Sequence, residues 1–561
     1  MNVSVSPQFI SVHVGQAEQF APILPTGIKT KLTWTVNGIV GGDSTFGTIS
    51  ATGLYRAPMA VPPASTVTIK ATAASGFTST SGTAAVVTGL ARYVSASGSD
   101  GNPGTIGLPW RTIQHAANLA VAGDTIFVRA GVYHEMVSIR SSGSARGGPI
   151  VLQSYPGETA IVDGTGVACC SNTIRGLFNL WGNYSYIVIE GFEIRNFSSG
   201  NSNNIPAGIW VSGSGSNISF LNNTIHGITE YAGRSGAAMG IGISAYKSTP
   251  ISNIHVLHNT IYGIVAGVSE ALFFDGNVDG FEAIGNVIHD NNCNALDMIG
   301  FWGTGPSGFD QARNGEVSGN TIYNNTALNN PTFYGYAAGG IYCDGCANVV
   351  IEHNTVYNND LNIAIASENY GHASSYVTVR NNLIYNPNAM ALSIGGWQSS
   401  SGGSDHITMV NNTILGSTTK DFAGNFQVGY NATNNIFENN IVYGGVAQLM
   451  FHGYAPSSAV PVTSDYNIYY TTGPVPMWYW DGQGYNTLAS FQAASKQDAH
   501  STTNNPKPVS LVPPYNLDVQ PGSPAINHGN FGLGTRNYGT TDYANNPRVS
   551  GAAIDIGAYQ K

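Results

Sequence analysis

The protein has 561 residues, and only 9% of them are charged, whereas soluble domains average about 25%. This scarcity of charge excludes coiled coils, helical bundles and charge-rich disordered chains, and the net charge of -10 argues against nucleic acid as the main partner. No apolar run of about 18 residues is present, so no membrane span is expected. The 70 glycines and abundant Asn, Ser and Thr indicate many short β strands joined by turns.

The first 89 residues alternate apolar and polar positions in short segments such as 32–36 and 66–69, separated by turns such as Asn37-Gly38. This pattern is typical of a β-sandwich. With Trp34 on a central strand, the segment resembles the bacterial Ig-like domains of secreted proteins. The resemblance implies an Ig-like β-sandwich over residues 1–89 and a secreted or cell-surface location, although the first residues lack the basic and apolar regions of a signal peptide.

A second unit begins near residue 90. Ile113, Ala116, Ala117 and Ala120 lie on one face of a predicted short helix, and the apolar segment 125–128 that follows predicts a strand. The stretch 91–135 resembles the N-terminal entry of right-handed parallel β-helix proteins of the pectate-lyase-like group. That resemblance implies an all-β chain with a β-helix over residues 90–561, a cap at about 91–135 and a closing cap at about 460–561.

A repeated block supports the β-helix. An Asn inside an apolar-aromatic motif recurs at positions 223, 259, 286, 320, 354, 382, 412 and 440. The spacing varies from 27 residues (259 to 286) to 36 residues (223 to 259), which fits one solenoid coil with loops of different length. We expect these Asn side chains to stack into a hydrogen-bonded ladder.

The second strand of each repeat carries the candidate catalytic acids. The strands align by inward apolar pairs beginning at Leu272, Leu296, Ile341, Ile363 and Leu392. Because strand side chains alternate, Asp297, Asp344 and Glu368 then point outward at positions two, four and six of three consecutive coils, with Asp275 at position four of the coil before. Neighbouring Cα atoms on this diagonal should be about 8 Å apart, a distance compatible with both retaining and inverting glycosidases. A structural cation site and plain surface solvation are the other interpretations.

Asp344 and Glu368, one coil apart, resemble the acid pair of the β-helical xylosidases of glycoside hydrolase family 120. By that resemblance Asp344 is the nucleophile and Glu368 the acid/base, with Asp297 as a helper. The expected substrate is a neutral plant or microbial polysaccharide or oligosaccharide, with xylan or glucan as the first candidates, and no cofactor is required. Side chains predicted to contact it are Trp302, Trp397, Tyr370, His372, Tyr342, Arg313 and Tyr336.

Two alternatives remain open. The first is a polysaccharide lyase acting on a uronate polymer with Ca²⁺ on Asp275, Asp297 and Asp344, since carboxylates suit a hard cation. Its base would have to be one of few candidates, such as Lys247 or an arginine in an insertion (Arg313), and this shortage of cations favours the hydrolase. The second alternative is a non-catalytic glycan-binding adhesin or tailspike-like protein.

Five cysteines are an odd count and predict no disulfide framework at this length. The segment Cys343-Asp344-Gly345-Cys346 is a single CxxC without partner ligands, and we interpret its cysteines as small turn residues rather than as a metal or redox site.

Overall fold

The structure is a computed structural model. It describes residues 2–23, 31–59, 62, 66–73, 78–79, 81–87, 90–333, 335–416, 425–444, 449–453, 461–473, 477–532, 535–550 and 553–561. Strands dominate, and they build a β-solenoid of about 11 turns. Within the described residues, every helix is too short or too polar to cross a membrane.

The chain divides into two compact units: residues 1–162, 183–192 and 216–219, and the remainder. The first unit opens with small sheets around one apolar core that includes Trp34, Tyr55 and Ile69. Trp34 lies on Leu32–Val36, which pairs antiparallel with Thr66–Ala73 as a central strand should. The strands are Asn2–Ser6, Phe9–His13, Ala17–Gln19, Ala21–Ile23, Leu32–Val36, Ile39–Val40, Gly42–Asp43, Gly47–Ile49, Leu54–Arg56, Thr66–Ala73, Thr78–Ser79 and Ser81–Val87.

The rest of the first unit begins the solenoid. Helix Ile113–Leu119 starts at Thr112, whose side chain accepts a hydrogen bond from the backbone N–H of His115, and its Ile113, Ala116 and Ala117 are buried as predicted. The helix packs on parallel strands. The strands are Ala91–Val94, Thr125–Val128, Gly131–Tyr133, Val137–Ser138, Ile150–Ser154, Ala160–Asp163 and Ile187–Glu190.

The second unit contains three sheets, in which strands of successive coils pair in parallel; Gln483–Tyr485 differs and pairs antiparallel with Met477–Trp480. The cleft sheet consists of Ile205–Leu221, Met239–Ala245, Leu272–Gly276, Leu296–Ile299, Gly339–Asp344, Leu361–Ala366, Met390–Ile394, Phe426–Val428, Leu449–Gly453, Met477–Trp480 and Gln483–Tyr485; Ile174–Asn183 pairs with its first strand. The second sheet consists of Ile251–Leu257, Val278–Ile284, Arg313–Ser318, Ala347–Glu352, Ala373–Ser375, Thr378–Arg380, Gly403–Asp405, Thr408–Val410, Ala432–Thr433, Asn435–Glu438 and Val462–Asp465. The third sheet consists of Glu193–Ser199, Thr224–Glu230, Thr260–Tyr262, Val287–His289, Thr321–Tyr323, Thr355–Tyr357, Leu383–Tyr385, Thr413–Leu415, Ile441–Tyr443 and Ile468–Tyr470.

The repeated Asn residues form the predicted ladder. In each step the backbone N–H and the side-chain amide of one Asn donate to Oδ1 of the Asn one coil later; for Asn320 and Asn354 both distances are 2.9 Å. Because the ladder is buried, these hydrogen bonds satisfy polar groups that would otherwise destabilise the core. The members are Asn223, Asn259, Asn286, Asn320, Asn354, Asn382, Asn412, Asn440 and Asn467.

The C-terminal region differs from the expected cap at about 460–561. Strands Val462–Asp465, Ile468–Tyr470 and Met477–Trp480 still continue the three sheets, so the coils extend to residue 480. Helix Leu488–Ser495 then packs its Phe491 against Trp478. The remaining chain, with hairpin Pro508–Ser510 and Asn516–Val519 and helix Thr535–Tyr538, runs back along the coils, where Leu517 and Ala558 pack on Leu415 and Tyr443.

Candidate active site

The strand register of the cleft sheet agrees with the alignment of inward apolar residues. Leu272, Leu296, Ile341, Ile363 and Leu392 are paired in consecutive strands and all are fully buried. The outward side chains border a cavity of about 530 Å³, hereafter the cleft, within the usual range of small-ligand sites. Asp275, Asp297, Asp344 and Glu368 all line it.

Asp344 ends strand Gly339–Asp344, and its carboxylate accepts two hydrogen bonds. The indole N–H of Trp302 donates to its Oδ2 at 2.7 Å, and the backbone N–H of Glu368 donates to its Oδ1 at 2.6 Å. The side chain is only 4% exposed. Burial is the main reason that the pKa of Asp344 rises to about 7, and the Glu368 carboxylate raises it further, while the two N–H donors oppose the rise.

A disulfide between Cys343 and Cys346 closes the turn around Asp344. The interpretation of these cysteines as small turn residues was therefore incomplete: Cys343 faces inward, and its sulfur meets Cys346 just after the strand. Behind the turn, the buried Ser374 hydroxyl accepts the Gly345 N–H at 2.8 Å and donates to the Ala366 carbonyl. A second disulfide joins Cys169 and Cys170, and Cys293 is free and buried.

Glu368 lies just beyond strand Leu361–Ala366 at the mouth of the cleft. Glu368 is exposed, and its Oε1 accepts a hydrogen bond from the Tyr342 hydroxyl at 3.3 Å. Partial desolvation of the carboxyl raises the pKa of Glu368. Both oxygens of Asp344 accept N–H bonds, which favour its anion and partly oppose the rise in its pKa.

Asp297 and Glu270 form a second acid pair in the cleft. Asp297 is 3% exposed; the Asn294 amide donates to its Oδ2 at 2.9 Å, while its Oδ1 has no hydrogen-bond partner in the described part of the chain. Burial, followed by the charges of Glu270 and Asp344, raises the pKa of Asp297 well above its ordinary value. Burial likewise raises the pKa of Glu270 to about 8, with Asp275, Asp344 and Glu368 adding to the rise.

Sequence reasoning missed Glu270 because it lies in the connection before strand Leu272–Gly276, where no periodicity assigns it a direction. One sequence signal was available for Glu270. It is an acidic residue two positions before Leu272, the first inward residue of a cleft strand, in a chain with very few charges.

Aromatic side chains form the walls of the cleft. Trp302 and Trp397 are 56% and 68% exposed, and Tyr336, Tyr342 and Phe333 complete the lining. Exposed aromatic faces beside carboxyl groups suit the stacking of sugar rings.

The structure places three other predicted contact residues outside the cleft lining. Tyr370 is 73% exposed nearby, and the ring of His372 stacks on Phe301 with centroids 4.2 Å apart. Arg313 begins a strand of the second sheet rather than lying in a loop over the groove, and its guanidinium donates to Asp279 at 2.9 Å.

Lys247, the candidate lyase base, packs its ammonium over Tyr246 at 4.5 Å and does not line the cleft. Asp275, Asp297 and Asp344, the suggested Ca²⁺ ligands, do not converge on one point. Within the described residues no group of three or more His, Cys, Asp or Glu side chains has an arrangement that could hold a metal ion. Burial raises the pKa of Asp275 to about 6.

Comparison with known proteins identifies the family. Residues 92–345 match the right-handed β-helix region of Pel9A-like proteins. The uncharacterized protein YwoF of Bacillus subtilis is 34% identical over 436 residues, which cover 77% of this chain and 91% of YwoF. The chain belongs to the YwoF family. Its solenoid is thus a right-handed parallel β-helix of the pectate-lyase-like type.

Two further proteins are similar over different lengths. Pectate lyase PEL9 of Emericella nidulans is 37% identical over 114 residues, which cover 18% of this chain and 28% of PEL9. Among solved structures, the complex of XylC with xylose has a TM-score of 0.45 at 13% identity, covering 84% of this chain and 98% of that one.

Proposed function

We propose that the protein is a glycoside hydrolase that cleaves a neutral polysaccharide or oligosaccharide, with Asp344 and Glu368 as its catalytic carboxyl pair. One observation carries the proposal: Asp344 is held by two N–H donors inside an aromatic-walled cleft, while Glu368 follows one coil later with a raised pKa. Paired carboxyls with different environments are the usual equipment of glycosidases.

The proposed reaction has two steps. An oxygen of Asp344 attacks the anomeric carbon while protonated Glu368 gives its proton to the departing glycosidic oxygen, which leaves a glycosyl ester on Asp344. Glu368, now charged, takes a proton from water as that water attacks the same carbon and releases Asp344. Asp297 helps by binding a substrate hydroxyl.

The lining of the cleft supports a neutral substrate. The described side chains that border the cleft include five acids and no Lys, Arg or His. A uronate carboxylate would be repelled by such a lining, and a neutral sugar would not. The partial similarity to a pectate lyase makes β-elimination the second candidate, and the cleft offers this reaction no cationic base of the kind considered above.

The test is a digest of a glycan panel containing xylan, β-glucan and polygalacturonate, read for both reducing ends and the ultraviolet absorbance of unsaturated products. We expect reducing ends without unsaturation, and their loss in Asp344→Ala and Glu368→Ala but not in Glu282→Gln, a carboxyl on the second sheet. Added azide should restore turnover in Glu368→Ala on an activated glycoside, because azide needs no general base. Unsaturated products indicate a lyase, and binding without cleavage indicates an adhesin; either result refutes the proposal.

A further inference from the structure

An apolar plug, formed by Trp210, Met239 and Phe273, fills the outward face of the cleft sheet before Asp297. Trp210, Gly242, Phe273 and Asp297 occupy one row across four consecutive strands. The Trp210 and Phe273 rings are 6.3 Å apart and close over Gly242, where an added Cβ would lie 2.8 Å from Trp210 and 2.9 Å from Phe273. Both rings are 6% exposed. Along this row, a sugar chain on the N-terminal side of Asp297 would meet packed aromatic rings rather than a groove.

The loop segments 326–333 and 335–338 lie at the same end of the cleft. The Asn330 amide donates to the carbonyls of Gly267 at 2.9 Å and Asn292 at 2.8 Å, and the Thr332 hydroxyl donates to the Arg234 carbonyl at 3.0 Å. These contacts reach back to earlier coils and fix the loop at the plugged end. Phe273 and Phe333 both line the cleft there.

Beyond Tyr342 the row of outward residues carries smaller side chains. Ala364, Ser393 and Gln427 follow it and are 4%, 8% and 8% exposed, and Trp397, which is 68% exposed, lines the cleft on this side. The apolar plug therefore marks one closed end of the cleft, and Trp397 borders the cleft away from it.

The acid pair Glu270 and Asp297 adjoins the plug, since Asp297 pairs directly with Phe273. The buried, unpartnered Oδ1 of Asp297 borders the cavity, and the described contacts of Glu270 leave only Ser269 as its hydrogen-bond donor, at 3.2 Å. The titratable groups around the pair are Asp275, Asp344, Glu368, Tyr342 and Cys293.

These described neighbours include no cation, and burial raises the pKa of both carboxyls, which favours a shared proton. A carboxyl pair with one proton can both donate and accept hydrogen bonds, as sugar hydroxyls do.

Building on the proposed hydrolase, we propose that Glu270 and Asp297 bind the hydroxyls of a terminal pyranose ring at the closed end of the cleft, so that the protein takes neutral glycans by one chain end. Glu270 is then a specificity residue that contacts substrate without taking part in bond cleavage.

Binding is tested by calorimetry on Glu368→Gln protein with xylo- and cello-oligosaccharides of increasing length, each offered intact, labelled at the reducing end, or O-methylated on the terminal non-reducing ring. We expect one of the two end modifications, and not the other, to weaken binding at least about tenfold, the cost of one buried hydrogen bond to a charged group. Equal binding of all three forms, or no binding of any probe, overturns the inference.

Variants separate this inference from the proposed function. In the otherwise wild-type protein, Glu270→Ala and Asp297→Ala should raise KM for oligosaccharides at least about tenfold, whereas Glu270→Gln, which still donates and accepts, should restore most of the binding. Thermal melts confirm that each variant folds, and Glu282→Gln is the matched control. Unchanged KM in both alanine variants refutes end recognition and leaves the hydrolase; end-specific binding without any hydrolysis refutes the hydrolase alone.

Discussion

Replacing Trp302 by Phe should move the acid limb of the pH–rate profile to higher pH. The substitution removes the 2.7 Å hydrogen bond from the indole N–H to Oδ2 of Asp344 while keeping an aromatic face. A hydrogen bond to a charged group contributes about 1.5–3 kcal/mol, and one pKa unit corresponds to about 1.4 kcal/mol. Because Trp302 is 56% exposed and water replaces part of this bond, we take the lower limit, about one unit.

The expected pKa of Asp344 in the variant is therefore about one unit above the wild-type value of about 7. The nucleophile must be ionised, so at about pH 6 the active fraction falls roughly tenfold, while above about pH 9 the two proteins converge. The assay is kcat/KM against pH on a substrate found in the glycan panel.

Trp397→Phe is the matched control for this prediction. Trp397 lines the same cleft and has no hydrogen bond to Asp344 among the described contacts, so its loss should change KM without moving the limb. The reasoning that the indole stabilises the Asp344 anion is refuted if the acid limb of the pH–rate profile stays in place in Trp302→Phe, or if it shifts equally in Trp397→Phe.

Three other predictions concern the stability and rigidity of the same framework. Burial raises the pKa of Glu270 from 4.5 to about 8, so the folded state holds the proton more tightly and this stabilisation, full below about pH 4.5, is lost as pH rises through about 8; the Tm of Glu270→Gln should fall less than that of the wild type between about pH 5 and 9. Cys343→Ala/Cys346→Ala should lower kcat about 10- to 100-fold with little change in KM, because the turn that aims the carboxyl between them loosens. Asn354→Ala should lower the free energy of unfolding, measured with denaturant, by about 2–5 kcal/mol, since it leaves ladder partners on both sides unsatisfied.

Each of these has a control and a contrary result. Glu282→Gln lies outside the cleft and should keep the wild-type pH dependence of Tm. If Glu270→Gln also keeps it, burial of the Glu270 carboxyl does not contribute to stability. Cys293→Ala removes the free buried thiol and should spare kcat, and equal losses would argue against a special role of the disulfide. Asn329→Ala, an exposed position, should be nearly neutral, and an equally small effect at Asn354 would mean that water replaces the ladder.

The register of the cleft sheet was predictable because inward side chains are constrained by stacking. Leu296, Ile341 and Ile363 must meet in a closed core, so their alignment fixes which neighbours face outward. That is enough to place Asp297 and Asp344 on one face and one coil apart. The Asn ladder was predictable for the same reason. At a buried turn position that repeats in every coil, an Asn side chain can hydrogen-bond to the Asn of the next coil.

The connections escaped prediction because periodicity ends with the strand. Glu270 lies in such a connection, and Arg313 was assigned to an insertion although it begins a strand. The disulfide at Cys343 depends on the three-dimensional path of the turn, which the lone CxxC motif did not reveal, and its cysteines were therefore interpreted as small turn residues. The closed end of the cleft depends on Trp210 and Phe273 packing over a glycine, which sequence spacing does not reveal.

The way the asparagine ladder finishes has a consequence for association between molecules. The backbone N–H of Asn467 donates to the Ser501 hydroxyl at 2.7 Å and its side-chain amide donates to Asp498 at 3.1 Å, so the donor row ends on partners supplied by the chain itself. An open row of strand edges would invite another molecule to add coils end to end, as in a fibre. Because the last donors of the ladder are engaged internally, we expect this end not to recruit further coils from another molecule.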